Sequence, residues 1–461
     1  MSDPRSEFPE LAGVATYAGA ARIGFSVDEN VRRLLRYHRV ERRLMTILVA
    51  HLTSEPVWEV KCALALHQWQ SAEHVDALRR RITEMRNPAP RLDAVPENDP
   101  TADALDAFLD QVDAACDTEE LITGLYDVLY PALADAYRDH IARTNSLVDH
   151  PTRRLLRFAL IDIEEAVEWR VANEKWRVAS DKWREKPTVW IDHLRAYFVA
   201  AGGITGEECI EPLDATRHPP LTTRHSFHPR RDRRFHGQYN FEFAPHIVYS
   251  MPDVSADERN LALLCKRALE MDVPEMMASF MTERDDQAWE FYRDYSRQLW
   301  DEARHAMMGT VALEARGIDW KTDIPLNVSF ALRLNLHATP LERQMMLYAI
   351  EQSLMPGETG KRYEYETAVA AGDALSAHFH DYDWADEVLH AQIGRRMLRR
   401  EGISGDEARE RAKDIHEKTW AALDQYRSLD AQHDWWPAFV RNVLGKESAA
   451  GTRPDLNIFS E

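Results

Sequence analysis

The six residues Asp301-Glu302-Ala303-Arg304-His305-Ala306 return in the same chemical order as Asp386-Glu387-Val388-Leu389-His390-Ala391. Both copies lie in stretches that read as helix, with apolar residues at a 3.6-residue period and no proline inside. On a helix, positions i and i+3 share a face. Glu302 therefore aligns with His305, and Glu387 with His390. The residues around them on those faces are apolar or small: Leu299, Ala306 and Met307 in the first copy, Leu389, Ala391 and Ile393 in the second. Carboxylates and imidazoles in such stripes are costly unless they are paired or hold cations. A chain with two such faces is constrained to bring helices together around them.

Each motif has a glutamate on the helix before it. The segment Ala268-Leu269-Glu270 precedes the first, and Ala349-Ile350-Glu351 the second, with Pro274 and Pro356 shortly after each glutamate. This is the pattern of a duplicated helical hairpin. Glu275 and Glu342 are alternative upstream carboxylates, but they fall outside the shared Ala-aliphatic-Glu register.

The set Glu270, Glu302, His305, Glu351, Glu387 and His390 resembles the ferritin-like diiron carboxylate superfamily, in which a Glu on one helix and Glu-x-x-His on the next occur twice, all facing inward. The resemblance covers residues 255–402. Asp301-Glu302-Ala303-Arg304-His305 is similar to the oxygen-activating members; the second copy departs from them, with Leu389 where the first has Arg304. The resemblance implies a four-helix bundle, two iron ions held by the six residues, and dioxygen as co-substrate. A mixed manganese–iron or dimanganese site uses the same residue types. Asp301 and Asp386 are expected to accept the second N–H of the two histidines, crosswise between helices, as carboxylates beside metal-bound histidines do. Arg304 is expected to offset part of the buried negative charge.

Composition supports helices and argues against several function classes. The 461 residues include only 18 glycines, and strand-like alternation is hard to find, so an all-α fold is expected, as two tandem bundles. The formal net charge of −20 argues against nucleic acid as the main partner. Cys62, Cys116, Cys209 and Cys265 show neither metal spacing nor a disulfide framework, which suits a cytoplasmic protein. No apolar run reaches the ~20 residues that span a bilayer.

The expected organisation is a lead-in over 1–27, a helical bundle over 28–203, a linker or lid over 204–254, the metal-binding bundle over 255–402, and a C-terminal helix and tail over 403–461. Within the first bundle, Trp69-Gln70-Ser71-Ala72-Glu73-His74 aligns with Trp300-Asp301-Glu302-Ala303-Arg304-His305, but Ser71 replaces the glutamate. Glu41, upstream, and Asp162, Glu164 and Glu165, downstream, complete a degenerate version of the pattern. It reads as core polar residues of a scaffold or dimerisation domain, with an altered metal site as the alternative. The linker carries a dense run of arginine and histidine from Arg217 to His236. It is read as a solvated segment complementing an acidic surface, with an anion-binding lid or a weak nucleic-acid patch as alternatives.

Helix starts are marked at Ser255, Thr339-Pro340 and Ser404, and stops at Gly202-Gly203 and Gly402. Pro274 and Pro356 imply either kinks or breaks beside the upstream glutamates. Met276, Met277, Phe280, Met307 and Met308 are candidates for a substrate channel or for ordinary core. The function expected from the resemblance is a non-haem diiron oxidoreductase that hydroxylates, desaturates or N-oxidises a small organic substrate. No Gly-rich dinucleotide fingerprint is present, so a separate electron donor is implied. The alternative is a ferritin-like protein that binds metal for storage, sensing or structure. Oligomeric state is left open, with a homodimer as the form common in the superfamily the chain resembles.

Overall fold

The computed structural model describes residues 9–86, 92, 100–172, 186–208, 210–238, 248, 251, 253–355, 360–423 and 435–449. The fold is all-α, and no strand occurs among these residues. The chain divides into two compact units, one formed by residues 1–48 and 67–224 and the other by 49–66 and 225–461. The division falls inside the first long helical hairpin, whose tip belongs to the second unit. It also falls at Arg224, so the Arg/His-rich segment is shared between the units.

The first unit draws on α1 (Val27–Leu52), α2 (Trp58–Glu84), α3 (Pro100–Asp113), α4 (Tyr130–Arg143), α5 (His150–Ala172) and α6 (Lys186–Ala200). Helix α6 stops where expected: Gly202 and Gly203 take φ of +68° and +70°, a left-handed conformation that glycine adopts without a Cβ penalty. Its core contains Leu34, Tyr37, Leu44, Leu78, Phe108 and Tyr137, all fully buried.

The second unit contains α7 (Ala256–Leu269), α8 (Asp272–Glu283), α9 (Trp289–Glu314), α10 (Ser329–His337), α11 (Pro340–Ser353), α12 (Lys361–Ala370), α13 (Ala374–Arg400), α14 (Gly405–Ala421) and α15 (Trp435–Leu444). Helix α9 packs on α7 and α13, α13 packs on α11, and α12 lies against α7 and α13. Thr339 and Glu342 form a full capping box at α11, with Pro340 in its first turn. Ser404 caps α14 through the Glu407 N–H. Ser255 likewise caps α7 through the Glu258 N–H. The Glu258 side chain does not return the bond; it accepts from Trp436 Nε1 at 3.1 Å instead, which ties α15 to α7.

Pro274 marks a break and not a kink. Helix α7 ends at Leu269 and α8 begins at Asp272. Glu270 is the C-cap of α7, and the proline stands in the first turn of α8, where its missing N–H costs nothing. Pro356 lies outside the described residues. Met276, Met277 and Phe280 are fully buried, and the Phe280 ring packs edge-to-face on Phe291 and Tyr295. These three are core packing. No helix among the described residues is long and apolar enough to cross a membrane.

Candidate metal centre

Helices α9 and α13 place their two motifs face to face. His305 and His390 are fully buried, with ring centroids 5.8 Å apart. Glu302 and Glu387 are 3 % and 2 % exposed. Glu351, on the last turn of α11, joins them: ligand-type atoms of Glu302, Glu351, Glu387 and His390 all lie within 4.8 Å of one another. A second group, Glu270, His305 and Asp383, meets the same criterion. The six residues picked out by spacing thus fall into two adjacent clusters in one unit. Glu275 and Glu342 lie elsewhere. Glu275 pairs with Lys61 and Arg231, and Glu342 serves the α11 cap.

The aspartates lie crosswise. Asp301 of α9 is 3.4 Å from His390 Nε2, and Asp386 of α13 is 3.2 Å from His305 Nε2. Arg304 reaches both, pairing with Asp301 and standing 2.9 Å from Asp386. Arg297 adds a second guanidinium, 2.7 Å from Asp301. Each imidazole therefore turns its Nε2 to an aspartate and its Nδ1 toward the glutamates. His390 Nδ1 is 3.0 Å from Glu302 and 3.2 Å from Glu387. His305 Nδ1 is 3.1 Å from Asp383 and 3.5 Å from Glu302.

Burial disfavours a charged His305, but Asp383, Asp386 and Glu302 outweigh it and push the imidazole up to about 10. His390 is raised well above its ordinary value against the same burial, by Asp301, Glu302 and Glu387. Glu351 is raised well above the usual carboxylate range by burial and by the charges of Glu387 and Glu302. Its carboxylate accepts from Gln298 Nε2 at 3.1 Å.

Two donors fit a cation better than they fit their neighbours. Glu302 Oε1 and His305 Nδ1 are buried but make no hydrogen bond of acceptable geometry among the described residues. They are near other polar atoms yet misaligned with them, as expected of groups aimed at ions, one in each cluster. The residue types, carboxylate oxygen and imidazole nitrogen, suit iron or manganese in the divalent state.

The two clusters differ in what stands beside them. Lys361, on α12, places its ammonium 2.9 Å from Glu387 and 3.0 Å from Asp383, with 1 % of its side chain exposed. Arg267 of α7 is 3.0 Å from Glu270, 2.7 Å from Asp383 and 2.7 Å from Glu364. It also donates to His380 Nδ1 at 3.1 Å. Glu364, His380 and Asp383 form a third close-set acidic and histidine group, but the Arg267 guanidinium already serves it. The cluster of Glu270, His305 and Asp383 thus has two buried cations at its edge.

Sequence reasoning missed Asp383, His380, Lys361, Glu364 and Arg267. A signal for part of this was present. His380, Asp383, Glu387 and His390 follow one another at three- and four-residue steps, so one stripe of α13 carries them all. The lysine and arginine gave none, since charged residues in helices usually mark solvated faces.

In the first unit, His74 Nδ1 is 3.0 Å from Glu41 and its Nε2 is 3.0 Å from Asp162. Tyr137 donates to Glu41 at 2.8 Å. Here the imidazole divides its nitrogens between two carboxylates, so the three donors do not face a common point. The Arg/His-rich segment is also partly ordered by pairing: Arg231 is buried against Glu275, and Arg234 holds Glu59 at 2.7 Å. Comparison with family profiles, characterised proteins and solved structures finds no match.

Proposed function

We propose that this chain is a non-haem dimetal oxidoreductase of ferritin-like design, which uses dioxygen to oxidise a small organic substrate. The observation that carries the reading is the convergence of Glu302, Glu351, Glu387 and His390, with Glu270, His305 and Asp383 beside them, in a buried core. Glu302, Glu351, Glu387 and His390 would hold one ion, and Glu270, His305 and Asp383 the other. Two iron ions there would supply the electrons that reduce dioxygen. The protein's own groups do the rest. Asp301 and Asp386 fix the histidine tautomers by accepting from Nε2, which leaves each Nδ1 as the donor atom. Arg304 and Arg297 hold Asp301 ionised, and Arg304 also pairs with Asp386. Burial of the carboxylates excludes water from the centre. No dinucleotide-binding motif is present, so a separate electron donor completes the reading.

One observation favours a second arrangement. Arg267 and Lys361 already supply positive charge to the Glu270, His305 and Asp383 cluster, with Lys361 shared between Asp383 and Glu387 of the other cluster. In this alternative a single ion occupies the Glu302, Glu351, Glu387 and His390 cluster, and the two side chains act as fixed counter-charges.

Anaerobic titration of metal-stripped protein with iron(II), read by elemental analysis after gel filtration, separates the readings. Two ions per chain, both lost in Glu302→Ala and His390→Ala, support the dimetal site. One ion per chain, rising to two in Lys361→Met, supports the second. Oxygen uptake that accelerates with an organic substrate supports oxidation. Slow accumulation of many ferric ions per chain would make it a storage protein, and no retained metal would remove the proposal.

A further inference from the structure

The first unit of this acidic chain contains a strongly basic cavity. It has a volume of about 380 Å3 and lies between the 19–24 segment, the end of α4 and the first half of α5. Arg22, Arg138, Arg143, Arg153 and Arg157 line it, and among the described residues no aspartate or glutamate does. Two of these arginines are already paired. Arg138 is 2.7 Å from Glu164, and Arg143 is 3.0 Å from Asp139. The other three, Arg22, Arg153 and Arg157, have no carboxylate within ion-pair distance among the described residues. The Arg153 guanidinium donates to the Ile141 carbonyl, at 3.2 Å. One turn separates Arg153 from Arg157 on α5, so their like charges oppose each other. Burial and the Arg157 charge hold the Arg153 guanidinium below its ordinary value, against a weaker opposite pull from Asp149.

The walls of this cavity are fixed by the fold. Asn145, 7 % exposed, donates to the carbonyls of Ala20 at 3.0 Å and Arg22 at 2.5 Å, while its Oδ1 accepts from the backbone of Leu147 and Val148. This pins the segment that carries Arg22 to the connection between α4 and α5. Gly24 is needed for the closure, since a Cβ there would lie 2.3 Å from the Asn145 nitrogen. The volume falls within the range of small-molecule sites. Guanidinium forks match carboxylate and phosphate oxygens alike; of the two, a phosphomonoester carries the larger charge near neutrality, about −1.5 to −2, against three guanidiniums.

We propose that this cavity binds a phosphate-bearing small anion, with Arg22, Arg153 and Arg157 supplying the charge. The site belongs to the first unit and does not depend on the metal centre of the second. A phosphomonoester can arrive free in solution or as a lipid headgroup, and the experiment distinguishes the two.

Pyrophosphate is titrated into the full chain by calorimetry at low ionic strength, alongside cosedimentation with vesicles of phosphatidylcholine, with and without phosphatidic acid. The expected result is saturable binding of one pyrophosphate per chain, weakened at least tenfold in R153M/R157M and unchanged in R411A, which removes an exposed arginine of the other unit. Should the double variant fail to fold, R22M, on an exposed segment, is expected to weaken binding severalfold alone. Sedimentation with the phosphatidic acid vesicles, released by pyrophosphate and lost in the same variants, identifies a lipid headgroup as the source. Pyrophosphate binding without sedimentation identifies a soluble ligand. No saturable binding to either probe, or equal weakening in R411A, overturns the proposal.

Discussion

Asp301 makes the centre's arrangement testable at the scale of one side chain. Its carboxylate is fully buried, is 3.4 Å from His390 Nε2, and is shared with two arginines. Burial opposes its charge, but His390, Arg297 and Arg304 hold it well below the usual range. Asp301→Asn keeps the shape and removes the charge. The expected outcome is a loss of metal affinity of roughly 10–100-fold, measured by chelator competition, together with a lower thermal midpoint of the apo protein, because Arg297, Arg304 and His390 lose a buried charged partner. Unaltered affinity would show that the aspartate does not act through the imidazole. Glu275 tests a different residue-scale claim. It is completely buried between Lys61 and Arg231, which outweigh burial and keep its pKa lowered. Glu275→Gln leaves two cations uncompensated in the core. Urea denaturation is expected to show a loss of about 3–5 kcal/mol in the second unit. A loss below ~1 kcal/mol would mean that water reaches the pair.

At the scale of elements, the metal centre depends on how closely α9 approaches α7. Gly309 sets that distance: a Cβ there would fall 2.4 Å from the Ala268 nitrogen and 2.7 Å from the Arg267 carbonyl carbon. Those are backbone atoms, which cannot turn aside as a side chain can. Gly309→Ala is expected to push the helices apart and cost ~1–3 kcal/mol, despite alanine's higher helix propensity. It should also weaken metal binding, because Arg267 and Glu270 sit at the contact. A stabilised variant in a thermal melt would refute the claim. The same helices show what the sequence could convey. The starts of α7, α11 and α14 were legible because their caps are local chemistry at Ser255, Thr339 and Ser404. The face shared by Glu302 and His305 was legible because it follows from helix pitch. The approach of Lys361 and Arg267 was not, because it depends on how α12 and α7 pack against α13. Nor was the ending of α7 at Leu269, since a proline near a glutamate is compatible with a kink or a break.

At the scale of the whole molecule, buried histidines of opposite preference predict a pH optimum for the first unit. His74 lies between Glu41 and Asp162, which outweigh burial and raise it from 6.5 to about 9. It binds its proton more tightly folded than unfolded. Its contribution is complete below pH 6.5 and disappears as pH rises through about 9. The upper bound for this term is on the order of 3 kcal/mol. His67 and His140 behave oppositely. Burial lowers them to about 3 and about 4, so each prefers to be neutral when folded. What they contribute is present above pH 6.5 and is lost as pH falls toward those values. Stability of this unit is therefore expected to peak near neutrality and decline on both sides. In a denaturation series from pH 4.5 to 9.5, His74→Gln should flatten the alkaline limb and leave the acid limb in place. His67→Phe should make the acid limb shallower without abolishing it, since His140 remains, and leave the alkaline limb in place. An alkaline limb that persists in His74→Gln would mean that another group titrates there, and that the triad of Glu41, His74 and Asp162 holds its proton no more tightly than the unfolded chain does.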